Sequence, residues 1–131
     1  MYKLHFVNGR SLIIDLHLNG KTVIVVGAGN EALKRIKLLQ NEGCKIIVIG
    51  EKPNSKIITL SKTKKIIFKK IKITSSLFLK TYKPFLVIAS TTDSSLNQKI
   101  VETAKKMKIL AYASDSPDSS DISYLSLIDI K

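Results

Sequence analysis

The sequence predicts an α/β domain, a parallel sheet covered by helices on both faces, and three observations carry that expectation. Short apolar runs at 22–26, 45–49, 65–69, 85–89 and 109–113 read as strands buried on both sides. Between them lie stretches at 30–42 and 94–107 whose apolar residues recur three and four apart, as on one face of a helix. The first strong run, Val23-Ile24-Val25-Val26, stops at Gly27-Ala28-Gly29 and turns at once into a helical pattern from Ala32 to Leu39. Alternating strands and helices call for crossover connections, hence parallel pairing.

In chain order, 2–7 and 10–16 are apolar-rich and flank Asn8-Gly9, a dipeptide suited to a tight primed turn, so an N-terminal β-hairpin is expected. Asn19-Gly20 then breaks the chain before strand 22–26. The helix over 30–42 places Ala32, Ile36 and Leu39 inward and Lys34 and Lys37 outward, with Gly43 as its stop. Ile57 to Leu60 is too short for periodicity to separate helix from strand, and a short helix is preferred. A second short helix at 75–82 precedes strand 85–89. The helix over 94–107 turns Leu96, Ile100 and Ala104 inward and Lys99, Lys105 and Lys106 outward. A polar loop, Ser114 to Asp121, leads to an apolar alternation from Ile122 to Ile130, a C-terminal strand.

The 131 residues suit a single domain over 1–131, and 44% hydrophobic residues argue for a packed core. No apolar run approaches the roughly 20 residues of a membrane span, and the N-terminus lacks the features of a secretion signal, so a soluble, cytoplasmic protein without a membrane partner is expected. Cys44 has no partner for an internal disulfide and reads as a small hydrophobe before a strand. His5 and His17 have no metal-ligand spacing, and no metal site is expected. The net charge is +12, and between Lys52 and Lys83 ten lysines occur without one acidic residue. Nucleic acid, anionic lipid, a ligand with several carboxylates or phosphates, or a merely solvated face would each fit that run. Specific nucleic-acid binding is not expected, because the run interleaves only Phe68, Phe78 and Tyr82 as stacking aromatics.

Strand, glycine turn and helix in that order suit a dinucleotide. Gly27 permits a sharp turn, Gly29 allows a pyrophosphate to approach the backbone, and Ala32 is small enough for close helix packing. The pyrophosphate would rest on the helix start, on Gly27, Ala28, Gly29, Asn30 and Glu31. Glu51, just past the second strand, stands where an acid takes the adenosine ribose hydroxyls and favours NAD over NADP, although it also fits a plain loop acid beside Lys52. After strand 85–89, Ser90, Thr91 and Thr92 would face the nicotinamide ribose, while Asp93 or Ser94 caps the next helix. Asp115 emerges from the last strand at the same edge. It can serve as a general base, or with Pro117 it can simply form a turn.

Together these residues resemble the dehydrogenase domain of the siroheme synthase and precorrin-2 dehydrogenase family. Three stretches carry the likeness: Leu18 to Gly29 with Ala32-Leu33-Lys34-Arg35; Leu86 to Asp93 with Leu96-Asn97; and Ile109 to Asp118 continuing to Asp121-Ile122. The resemblance implies a Rossmann-like doubly wound fold and NAD-dependent oxidation of precorrin-2 to sirohydrochlorin, with iron insertion by a ferrochelatase activity in bifunctional members. It implies Asp115 as the catalytic residue, and the glycine turn, Thr91 and Asn97 as matching signature positions. The polycarboxylate tetrapyrrole would give the lysines a purpose, and Fe2+ would be a second substrate. Ala28, Glu31, Thr92, Tyr112 and Leu125 depart from the family pattern. Members usually continue into a dimerisation and helical region, so a complete pocket would require a homodimer built through the 122–130 strand. The alternative is a non-catalytic nucleotide-sensing module, since regulator-of-potassium-conductance domains are similar in the glycine turn, the acid after the second strand and the Thr-Asp-Asn helix entry.

Overall fold

The computed structural model describes residues 2–3, 12, 14–115, 120–121 and 128–129. Its elements are β1 (Tyr2–Lys3), β2 (Thr22–Val26), α1 (Asn30–Leu39), β3 (Lys45–Gly50), α2 (Ser55–Lys62), β4 (Ile67–Lys70), α3 (Phe78–Tyr82), β5 (Leu86–Ala89), α4 (Ser94–Lys106), β6 (Leu110–Ala113) and β7 (Ile128–Asp129). The expected α/β architecture is present. Five strands form an all-parallel sheet in the order β4-β3-β2-β5-β6. The chain works outward from β2 through β3 to β4, then returns to the other side of β2 for β5 and β6. That reversal puts the switch in strand order between β2 and β5, where the carboxyl ends of the strands diverge and a crevice opens.

The apolar runs sort by parity. Val23, Val25, Ile46, Val48, Leu86 and Ile88 face one side with Ala32, Leu33, Ile36 and Leu39 of α1 and Ile57 of α2. Ile24, Val26, Ile47, Ile49, Val87 and Ala89 face the other with Leu79 of α3 and Leu96, Ile100 and Ala104 of α4. Continuous Val and Ile runs are what a sheet buried on both faces requires. The uncertain segment at Ile57–Leu60 is part of an eight-residue helix, because the Asn54 side chain accepts from Lys56 N at 2.9 Å and caps it. α1 stops at Leu39, three residues short of the expected end, and Gly43 takes the positive φ of 73° that leads into β3.

The N-terminal segment differs from expectation. Tyr2–Lys3 pairs antiparallel with Ile128–Asp129 at the far end of the chain, and residues 12 and 14–16, in the second arm of the expected hairpin, carry no strand. Leu16 and Leu18 pack against the α1 side of the core instead, so apolar burial, not strand pairing, holds residues 16–18. The Asn8-Gly9 turn and residues 122–127 lie outside the described residues, as does His5. His17 is exposed and sits 3.4 Å from Asp15, a surface pair of little energetic weight. No helix among the described residues is long and apolar enough to cross a membrane.

Candidate functional site

A cleft of about 720 Å³ opens at the switch point. Its floor is the glycine turn that follows β2. Gly27 adopts φ of +115°, and a Cβ there would lie 2.5 Å from the carbonyl oxygen of Ser90, so only glycine fits. Gly29 is the opposite case: its backbone angle is ordinary for any residue and a Cβ would meet nothing within 4 Å. The space above Gly29 is therefore open to the cleft, as close approach of a ligand demands. Gly29 is also the N-cap of α1, and no side chain caps that helix. Its first-turn N–H groups, which have no partners within the helix, form an anion-binding end.

The second strand closes the cleft from one side. Gly27 N donates to Ile49 O at 2.8 Å and Asn54 N to Ala28 O at 2.7 Å, while Asn54 Nδ2 donates to Asn30 Oδ1 at 2.8 Å. These bonds lace the loop after β3 to the glycine turn and leave Glu51 and Lys52 exposed on the cleft wall. Gly50 lets the strand pass: a Cβ there would fall 2.7 Å from the Ala28 methyl. Ile71, Lys72 and Ile73, just beyond β4, complete that wall.

On the other side, Ser90 N donates to Val26 O at 2.8 Å, which ties the end of β5 to the turn, and Ser90, Thr91, Thr92 and Asp93 line the cleft. Asp93 caps α4 through Leu96 N at 3.1 Å, as expected. Asp115 lies beyond the end of β6 and is exposed; its Oδ2 accepts from Asn97 Nδ2 at 3.2 Å. The same buried amide accepts from Thr91 N and Thr91 Oγ1 and donates to Thr91 O. Ser114 Oγ meets Ser90 Oγ at 3.3 Å, so the β5 and β6 loops are also joined directly. Downstream, Asp121 folds back along β6 and accepts from Ala111 N at 3.2 Å.

Of the positions singled out in the sequence, Gly27, Ala28, Gly29, Asn30, Glu31, Glu51, Ser90, Thr91 and Thr92 all line this one cleft. Ala32 does not: it is fully buried between α1 and the sheet, where its small size sets the packing distance. Asp115 does not line the cleft; it bonds Asn97, which in turn bonds Thr91 on the wall. Ser116 to Ser119, the rest of its loop, lie outside the described residues. Gly50 and Asn54 gave no sequence signal, because each matters through a contact with the distant glycine turn; Lys72, one of the run of lysines, was not singled out and lines the cleft.

Two titratable groups on the α1 side of the sheet, neither of them lining the cleft, are shifted. Burial pushes the Tyr112 hydroxyl above its ordinary value; the Arg35 guanidinium, 5.3 Å from the ring centre, opposes this and Glu31 adds to it. Arg35 also lies 3.7 Å from Glu31. Cys44 is half-buried with its thiol pushed up, first by burial, and its Sγ donates to Leu39 O at 3.6 Å. That is a packed, inert thiol. Among the described residues no three His, Cys, Asp or Glu side chains gather as metal ligands.

The turn, the open space at Gly29 and the uncapped helix end fit a dinucleotide pyrophosphate. A family model described as "Putative NAD(P)-binding" matches residues 14–126. The chain belongs to that family. Among curated relatives, the chain is 30% identical over 118 residues to a siroheme synthase of Nitrosococcus oceani, covering 90% of this chain and 25% of the relative. It is 31% identical over 123 residues to a siroheme synthase of Actinobacillus pleuropneumoniae, covering 90% and 24%. With a precorrin-2 dehydrogenase of Bacillus subtilis the identity is 26% over 105 residues, covering 80% and 63%. The chain thus spans about a quarter of the length of the siroheme synthases it matches. The solved structure of SirC, a precorrin-2 dehydrogenase, shares the fold, with a TM-score of 0.74 at 23% identity over 91% of this chain and 57% of that one.

Proposed function

We propose that this NAD(P)-binding chain is a precorrin-2 dehydrogenase, a soluble cytoplasmic oxidoreductase that uses NAD to convert precorrin-2 to sirohydrochlorin. The observation that carries the reading is the placement of Asp115 on the same sheet edge as the glycine turn, tied through Asn97 to the Thr91 wall of the cleft. Relatives named siroheme synthase and precorrin-2 dehydrogenase support the reaction class. When bound, NAD supplies the hydride acceptor. This chain's residues do the rest. The α1 N-terminus and the Gly27–Glu31 turn hold the pyrophosphate. Glu51 takes the adenosine ribose and disfavours a 2′-phosphate, and Ser90, Thr91 and Thr92 orient the nicotinamide end. Oxidation removes a hydride and a proton from the tetrapyrrole; Asp115 takes the proton as general base.

The substrate's carboxylates suit the lysine-rich surface, which raises their local concentration before docking. A homodimer belongs to the same proposal. β1 and β7 are two residues each and pair only with one another among the described residues, and so short a ribbon has little stability of its own in water. A second copy packed on it would both hold it and complete the tetrapyrrole pocket. Sedimentation at micromolar concentration should give twice the chain mass.

The test is anaerobic incubation of the protein with precorrin-2 and NAD, following NADH and sirohydrochlorin by absorbance. The two products should rise in equal amounts. Adding Fe2+ in the same cuvette reads the ferrochelatase step, with the iron as substrate. Tight NADH binding without any oxidation would overturn the dehydrogenase and favour the nucleotide-sensing alternative.

A further inference from the structure

We infer that Asn97 is the positioning residue that couples the nucleotide-side loop to Asp115, so that one buried amide sets both the Thr91 wall of the cleft and the orientation of the base. The inference rests on the dehydrogenase reading for its catalytic half only. Asn97 is 1% exposed on the inner face of α4. Its oxygen accepts from Thr91 N at 3.2 Å and from Thr91 Oγ1 at 2.6 Å. Its nitrogen donates to Thr91 O at 3.0 Å and to Asp115 Oδ2 at 3.2 Å.

A backbone N–H can only donate, so the amide oxygen must face Thr91 N, and this fixes which end of the side chain points to Asp115. Two acceptor and two donor positions are all that an amide has, and all four are used. A buried amide is costly unless satisfied, and here it is satisfied by two loops that follow different strands, β5 and β6. Helix packing alone needs no amide, since Leu96, Ile100 and Val101 already seat α4 on the sheet. Thr91 lines the cleft. Ordering of Thr91 by a nucleotide therefore reaches Asp115 through one rigid side chain, and loss of that side chain unties both.

NADH affinity, read by nicotinamide fluorescence, is measured for wild type, Asn97→Ala, Asp115→Ala and the double variant. Asn97→Ala should weaken binding about tenfold and Asp115→Ala about threefold, the size of one or two lost hydrogen bonds. The double variant should bind no more weakly than Asn97→Ala alone. Independent losses that multiply would overturn the coupling. Asn97→Asp weights the two halves differently: it keeps the acceptor for Thr91 N and Thr91 Oγ1, gives up the one donor bond to Thr91 O, and sets a second carboxylate against Asp115. It should hold NADH within about threefold of wild type while kcat for precorrin-2 falls at least tenfold. Retention of both, or loss of both, contradicts the assignment. If wild-type protein binds NADH and oxidises no precorrin-2, the dehydrogenase reading fails, while the affinity cycle still decides whether Asn97 links the two loops.

Discussion

The carbonyl oxygen of Ser90 lies 2.5 Å from the point where a Cβ on Gly27 would stand. The contact joins the end of β5 to the turn after β2, and it exists only because position 27 has no side chain. Gly27→Ala must move the Ser90 backbone and also hold a φ of +115° that alanine rarely adopts. The variant should lose about 2–4 kcal/mol of stability, or on the order of 10 °C in Tm, as measured by circular dichroism. It should lose NADH binding with it.

Gly29→Ala should separate those two effects. Its Cβ would enter open space without backbone strain, so Tm should stay within about 2 °C of wild type. NADH binding should weaken at least tenfold, since the methyl occupies the approach to the helix end. Isothermal titration beside a melting curve reads both quantities, and unaltered affinity would remove the pyrophosphate from this spot.

Glu51 is exposed on the cleft wall beside Lys52. Removing its charge in Glu51→Gln should favour a 2′-phosphate, shifting the ratio of NADP to NAD affinity upward by about tenfold. Competition between the two nucleotides for the bound fluorescent cofactor measures the ratio. No shift would place the adenosine ribose elsewhere.

Burial raises the Cys44 thiol above its ordinary value near 9 and the Tyr112 hydroxyl above its ordinary value near 10. In the unfolded chain both ionise at those ordinary values, while the folded chain still holds its protons. The unfolded state then binds fewer protons, and stability must fall with pH. The stabilisation is whole below pH 9 and declines above it, first through Cys44 and then through Tyr112. Urea unfolding at pH 8, 9.5 and 11 should show that decline, and Cys44→Ala should remove its first part.

What the sequence made legible was local. Strand 22–26 coincides with β2, and the other core strands fall within two residues of expectation; for β2, β3 and β5 the reason is that apolar runs buried on both faces leave no competing periodicity, whereas the edge strand β4 is not buried on both faces. The glycine turn was legible for the same reason: strand, turn and helix lie within one short stretch. The Asn54 cap, which decides that Ile57 belongs to a helix, is a single residue and gives little signal against a short apolar run. Gly50 against Ala28, Asn54 on Asn30, and Asn97 between Thr91 and Asp115 are contacts across the sheet edge. Partners up to 24 residues apart leave no pattern in the chain. The N-terminal segment went the other way: Asn8-Gly9 suggested a local pairing, yet Tyr2–Lys3 pairs with Ile128–Asp129.

The central claim is that Asp115 acts as a base on a tetrapyrrole while the glycine turn holds the cofactor, and one comparison tests it most directly. Precorrin-2 oxidation and NADH affinity are measured together for wild type and Asp115→Asn, whose amide oxygen can still accept from Asn97. The account predicts that wild-type protein forms sirohydrochlorin and NADH in equal amounts. It predicts that the variant slows by about two orders of magnitude or more with NADH affinity within about threefold. Equal turnover by the two proteins, or none by either, would contradict it.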